Sequence, residues 1–203
     1  MLSPVEWGLY TMTCVVAAGT PGPGTLAVIT SSIQYGSKKT LPLMTGIAFG
    51  LTIVSTVALL GLARILTESK LLFISLQYVG IAYILFLGLR CIKDSFSQLS
   101  DDDSALETQN WGILSGIWIS VLNPKTFLFF MAFFPSYMSK SQDAPHSYLG
   151  ILLAAALVAC TFTVHIIYSL IGQKLSALLE GKSREINRVT GAIFIVLGLM
   201  MAA

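Results

Sequence analysis

The sequence predicts an all-α integral membrane protein: six transmembrane helices forming two inverted three-helix repeats, with the first and fourth spans broken at prolines. Three observations lead there. The first is composition: of 203 residues, 55% are hydrophobic and only 11% charged, with a mean hydropathy of +0.78. An ordinary soluble domain carries about 25% charged residues, so this surface must meet a lipid bilayer. The second is a sixfold recurrence of long charge-free windows, and the third is a set of landmarks shared by the two halves. The net charge of +2 is small and scattered, which excludes nucleic acid as a partner because that needs a concentrated basic footprint.

A helix needs about 20 apolar residues to cross the hydrocarbon. The first window lies between Glu6 and Lys38, the second between Lys39 and Arg64, and the third between Lys70 and Arg90. Cys91 to Asn110 reads as a solvated loop carrying the acidic run Asp101, Asp102 and Asp103. The fourth window, Trp111 to Ser139, is interrupted by a single charge, Lys125. The fifth runs from about Tyr148 to Gln173, and the sixth from near Ile186 to the C-terminus. The chain thus divides into a first repeat over 1–100, a cytoplasmic linker over 101–110 and a second repeat over 111–203. No Lys or Arg precedes Lys38, so the basic start of a cleavable signal peptide is missing and the first apolar stretch is expected to stay.

Lys and Arg in short connections are retained on the cytoplasmic side. The connections after spans one, three and five hold eight: Lys38, Lys39, Arg90, Lys93, Lys174, Lys182, Arg184 and Arg188. The opposite side holds Arg64, Lys70 and Lys140, so both termini are expected outside.

Glu6-Trp7-Gly8-Leu9 opens the first span and Asn110-Trp111-Gly112-Ile113 the fourth, each Trp suiting a membrane interface. Thr20-Pro21 faces Asn123-Pro124 at an offset of 103, and the run from Gly80 to Leu89 resembles that from Gly191 to Leu199. With three spans per unit, the copies lie in opposite orientations.

Inside a helix Pro removes one i to i−4 hydrogen bond, so Pro21 frees the carbonyl of Ala17, Pro23 that of Gly19 and Pro124 that of Ser120. Thr20-Pro21 and Asn123-Pro124 read as N-cap followed by N1, which starts a new helix segment. Both new starts point at the midplane. Their free amides after Pro23 and Pro124 suit a carboxylate, with Gly22 and Gly24 loosening the first break and Thr25 and Thr126 offering hydroxyls.

Lys125 is the one Lys, Arg, Asp or Glu in the middle of a span, about 14 residues from either end. A Lys stem reaches about one turn, so the charge faces a cavity instead of snorkelling. No spanning carboxylate neutralises it, so its counter-charge is either the substrate or none. His165, with Tyr168 one turn later on the same face, is a second-tier proton-handling or substrate site. Thr52, Ser55, Thr56, Thr161 and Thr163 are expected to bond their own helix or a neighbour. Gly46 with Gly50 and Gly112 with Gly116 form GxxxG pairs that suit packing inside the bundle or between two copies in a homodimer. Cys14, Cys91 and Cys160 form no CxxC, and neither a metal site nor a cofactor is indicated.

With these residues in view, the chain resembles the lysine exporter and homoserine/threonine resistance family of bacterial amino-acid exporters. The likeness rests on Pro21-Gly22-Pro23 with Tyr35-Gly36-Ser37-Lys38-Lys39, on Leu122-Asn123-Pro124-Lys125 followed by Phe127-Leu128-Phe129-Phe130, and on Ile186-Asn187-Arg188 before Gly191 and Gly198. It implies a six-span exporter in the cytoplasmic membrane that expels amino acids or their derivatives at the expense of the proton gradient. The chain departs from the family at Gly24, where members often carry Asp, Asn or Gln.

A transmembrane thiol electron carrier would need a cysteine beside each proline break, and span four has none. A membrane hydrolase would need HExxH or GxSxG, and neither occurs. A small channel or a structural membrane subunit is the alternative left, set apart by its lack of gradient-driven accumulation.

Overall fold

The chain enters its first helix through a capping box: Ser3 Oγ accepts the Glu6 amide at 3.3 Å, and the Glu6 carboxylate accepts the Ser3 amide at 2.8 Å. A computed structural model describes residues 2–20, 22–59, 70–97, 111–123, 125, 126, 129, 146–176 and 183–202. Within them lie seven helices and no strand: α1 (Pro4–Gly19), α2 (Pro23–Tyr35), α3 (Ser37–Leu59), α4 (Lys70–Ser97), α5 (Ile113–Val121), α6 (His146–Ser176) and α7 (Ser183–Ala202). The 101–110 linker, Pro21, Pro124, Arg64, Lys140 and Lys182 lie outside the described residues.

Two of the expected boundaries move. The third helix does not stop at Arg90 but continues to Ser97. Cys91 and Ser95, four residues apart on one face, are fully buried, so the apolar seam outlasts the first charge. The last helix begins earlier than Ile186, at Ser183, with Arg184, Glu185 and Arg188 in its first turns. Arg188 sits over the ring of Phe96, 5.2 Å from its centroid.

The first break also differs in detail. Thr20 does not cap the second segment. Its hydroxyl donates back to the Val16 carbonyl at 2.7 Å and so closes α1, while Gly22 is the N-cap of α2 and Pro23 its first residue. The proline ring of Pro23 already holds the helical φ, which starts α2 without a side-chain cap. The axes of α1 and α2 differ by 60°.

Together the bent pair travels as far as one straight neighbour. Tyr10 of α1 donates to the Leu153 carbonyl at 2.8 Å, and Tyr168 reaches Gly19. Ser37, just past α2, donates its amide to Gln173 at 3.0 Å. From Leu153 to Gln173 α6 rises by about 30 Å, the thickness of a bilayer's hydrocarbon. The pair α1–α2 therefore runs parallel to α6 over a membrane's depth.

The other directions follow from similar pairings. Gly36, at φ +82°, turns the chain in one residue, so α3 returns antiparallel with Ser31 bonded to Thr40 at 3.0 Å. Thr30 meets Thr190 at 3.1 Å and Gln34 bonds Asn187, which makes α7 antiparallel to α2. Gly88 abuts Gly191 and Leu85 abuts Gly198, so α4 and α7 are antiparallel too. α5 runs parallel to α3, with Gly46 beside Ile113 and Gly50 beside Ser120. Thus α1–α2, α4 and α6 point one way, and α3, α5 and α7 the other.

The GxxxG pairs act inside the bundle. A Cβ on Gly46 would land on the Ile113 carbonyl, and one on Gly116 on the Leu43 carbonyl, so the two motifs face each other across α3 and α5. Trp111 departs from its expected place at an interface. It is 4% exposed and packs on Phe194, ring centroids 6.3 Å apart.

Large apolar side chains cover the outside instead: Leu71, Met200 and Leu114 are each more than 70% exposed. By length and composition α3 and the stretch Tyr148–Ser176 can each cross a membrane, and the pair α1–α2 is a third candidate.

Candidate functional site

The end of α1, the start of α2 and the end of α5 converge on the middle of α6. Three carbonyls at the end of α1 find donors from outside that helix. Tyr168 Oη donates to the Gly19 carbonyl at 2.8 Å, which is the one Pro23 frees. Thr25 Oγ1 donates to Ala18 at 3.3 Å. Lys125 Nζ donates to Thr20 at 2.8 Å, and its stem lies alongside Gly22. The ammonium thus sits at the negative end of the α1 dipole. The two breaks are joined through this contact, although they lie 105 residues apart in the chain.

Asn123 plays its expected capping part. Its Oδ1 accepts the Lys125 amide at 3.0 Å, and its carbonyl accepts the Thr126 amide at 3.0 Å. Those amides were expected to be free for an anion; here Asn123 occupies both. The Ser120 carbonyl, freed by Pro124, receives the Asn123 amide at 3.3 Å. The open donors are therefore at the other start. Gly22 has no side chain to cap α2, which leaves the amides of Gly24 and Thr25 without a side-chain partner.

A cavity of about 80 Å³ lies among these elements, with room for several waters. Gly22, Gly24 and Thr25 line it from the first break, and Asn123, Lys125 and Thr126 from the second. His165 closes it from α6, with its ring edge 4.0 Å from where a Cβ on Gly24 would sit. Pro23 is buried at the head of α2 beside it. No carboxylate lines the cavity among the described residues, so the one formal positive charge there faces only neutral groups.

Most candidate residues from the sequence therefore meet. Thr20 and Tyr168 touch the site through backbone hydrogen bonds and do not line the cavity. Pro21 and Pro124 fall outside the described residues. Thr52, Ser55, Thr56 and Thr163 bond their own helices, as expected of them. Thr161 lines the cavity instead. Ser120, which entered the sequence reading only through its carbonyl, also lines it. The available signal was its position three residues before Asn123, in the last turn of α5.

A buried polar site among helices with apolar outer faces is the arrangement of a membrane transporter. The LysE type translocator family model matches residues 15–203, and the chain belongs to that family. It is a translocator and not an enzyme. It is 26% identical over 201 residues to a homoserine/homoserine lactone efflux protein of Salmonella typhimurium, covering 97% of this chain and 96% of that protein. It is 24% identical to an uncharacterized membrane protein of Vibrio cholerae, with 97% and 96% covered. An uncharacterized membrane protein of Pseudomonas aeruginosa is 26% identical, with 99% and 96% covered. No solved structure matches the chain.

Proposed function

We propose that the chain is a secondary active exporter of amino acids or close derivatives, driven by proton antiport across the bacterial cytoplasmic membrane. The observation that carries this reading is the shared cavity: Lys125 lines one space with Gly24 and Thr25, whose amides have no side-chain cap. An ammonium has three donors, and among the described residues one is used, on Thr20. The others suit a substrate carboxylate, with the α2 dipole adding to the attraction. The carbonyl-rich end of α1 lies alongside to accept the substrate's ammonium group.

His165 is the other titratable side chain among the described lining residues, and we assign the exchanged proton to it. Tyr168 holds the Gly19 carbonyl one turn further on. The alternating helix directions support six spans with both termini on one side, and the distribution of Lys and Arg makes that side the outside. They also support two inverted repeats over 1–100 and 111–203, because the first set runs opposite to the second. The relatives named for homoserine efflux support a small neutral amino acid or its lactone as cargo.

The test is transport by the purified chain in vesicles with an imposed pH gradient and labelled homoserine. Gradient-dependent accumulation is expected; passive equilibration alone would mark a channel and overturn the reading. Lys125→Met keeps much of the stem and removes the charge. It should weaken binding by about one to two powers of ten, the worth of a charge-assisted hydrogen bond. Lys125→Arg should keep part of the activity, since a planar fork replaces a compact ammonium poorly.

A further inference from the structure

Glycines on the helices of this chain commonly mark where a second backbone approaches. A Cβ on Gly46, Gly50, Gly80 or Gly116 would come within 2.0 to 2.8 Å of a carbonyl oxygen of a neighbouring segment. Gly36 supplies a turn at positive φ. Neither reason applies to Gly24. Its φ is not positive, and a Cβ there would make only ordinary contacts, with Ile47 Cδ1 at 3.6 Å, Ile119 Cγ2 at 3.7 Å and His165 Cε1 at 4.0 Å. An alanine would fit and would strengthen the first turn of α2, since glycine is a poor helix former. All three of those neighbours line the cavity, as does Gly24 itself, which is half-buried between the buried Pro23 and Thr25. The place its missing side chain would take is therefore part of the cavity.

The two ends of that cavity differ in chemistry. Beside Gly22 runs the Lys125 stem, 3.6 Å from where a Cβ would sit, whereas Gly24 looks onto two isoleucines. Ile47 and Ile119 are 4% and 3% exposed, so packing fixes these walls. A gap beside them forfeits dispersion contacts that an aliphatic occupant restores. We propose that Gly24 is a specificity-determining residue: the aliphatic stem of the bound solute's side chain lodges in the space left by the missing Cβ, against Ile47 and Ile119, and the depth of that space sets the stem's length. A cavity of about 80 Å³ suits a short stem. Apolar walls of this kind discriminate between solutes methylene by methylene. This inference rests on the exporter reading above, with Lys125 holding the carboxylate.

The experiment measures transport of alanine, homoserine and norleucine, whose side chains lengthen in that order, by the full chain in vesicles with an imposed pH gradient. Gly24→Ala places a methyl in the subsite and should lower the homoserine-to-alanine ratio about tenfold, the worth of one methylene in an apolar pocket. Ile47→Val removes Cδ1 from the facing wall and should raise the norleucine-to-homoserine ratio by about the same factor. The double variant should bring the homoserine-to-alanine ratio back to within about threefold of the wild type, because the methyl added on one wall is taken from the other. Unchanged ratios, or an equal fall for every solute, would show that Gly24 does not border the bound side chain and overturn the inference. Ile47→Val carries the test should Gly24→Ala fail to insert. A wild type that transports none of these solutes would overturn the exporter reading itself.

Discussion

α1 and α2 lie along the same neighbour, α6, yet different chemistry seats them. α1 buries Tyr10, Cys14 and Ala18, and its cluster includes Leu149, Leu153 and Leu157 of α6. Its side-chain tie to α6 there is Tyr10 Oη to the Leu153 carbonyl. α2 buries Ala27 and Val28 in the apolar cluster but also Thr25, Thr30, Ser31 and Ser32, and hydroxyl and amide pairs tie it to α3 and α7. Just past it, Ser37 Oγ donates to the Ser169 carbonyl of α6 at 3.0 Å. Gly172 of α6 lets Ser32 approach, since a Cβ there would strike its hydroxyl.

Inside lipid this difference has energetic consequences. Lipid tails are as apolar as leucine, so the seat of α1 depends on shape fit and dispersion, which a wet gap would remove. The seat of α2 adds to its apolar contacts at Ala27 and Val28 a set of groups that keep their hydrogen bonds if water enters, because water replaces each partner in kind. One half of the bent pair is anchored almost wholly by packing, the other by packing together with exchangeable polar contacts, and the cavity lies where they meet.

Three substitutions sharpen this comparison. The largest effect is expected at Leu153, fully buried against α1. Leu153→Ala should cost about 2 kcal/mol, mainly the cavity part of the usual penalty, because transfer from lipid contributes little. Reversible unfolding in mixed micelles measures it, and a change below about 0.5 kcal/mol would mean α1 is not anchored by packing. At the junction, Tyr168→Phe leaves the Gly19 carbonyl without its donor and should cost about 1 kcal/mol, since cavity water takes over part of the bond. The same unfolding measurement reads it; a loss as large as that of Leu153→Ala would place the junction with the anchored half.

The smallest effect is expected in α2. Thr30→Val keeps the shape and removes the bond to Thr190, which should cost about 0.6 kcal/mol, the average for a hydrogen bond between membrane helices. A loss above about 2 kcal/mol would make α2 as firmly seated as α1 and dissolve the comparison.

The site was legible in the sequence to an uneven degree. Lys125 stood out because a lone charge deep in an apolar window has few places to go, and the cavity at the second break is where it lies. Asn123 was legible as a cap from its type and its place before Pro124. Thr20, of similar type before Pro21, was misjudged because a threonine hydroxyl serves the end of one helix as well as the start of the next. Which way it turns depends on Gly22 and Pro23 starting α2 two residues later.

By itself the sequence determined the membrane class, the helical content, the interruptions near residues 20 and 123, and the presence of one stranded charge. These follow from hydropathy, from proline's missing amide and from the cost of a charge in lipid, all of which are local. Only the tertiary structure decided that the two GxxxG faces meet each other, that Trp111 is buried on Phe194, and that Thr161 lines the cavity while Thr163 does not. Those outcomes depend on the rotation of each helix about its axis. That rotation is set by the fit of neighbouring helices to one another, and in a chain apolar on nearly every side hydropathy carries no record of it.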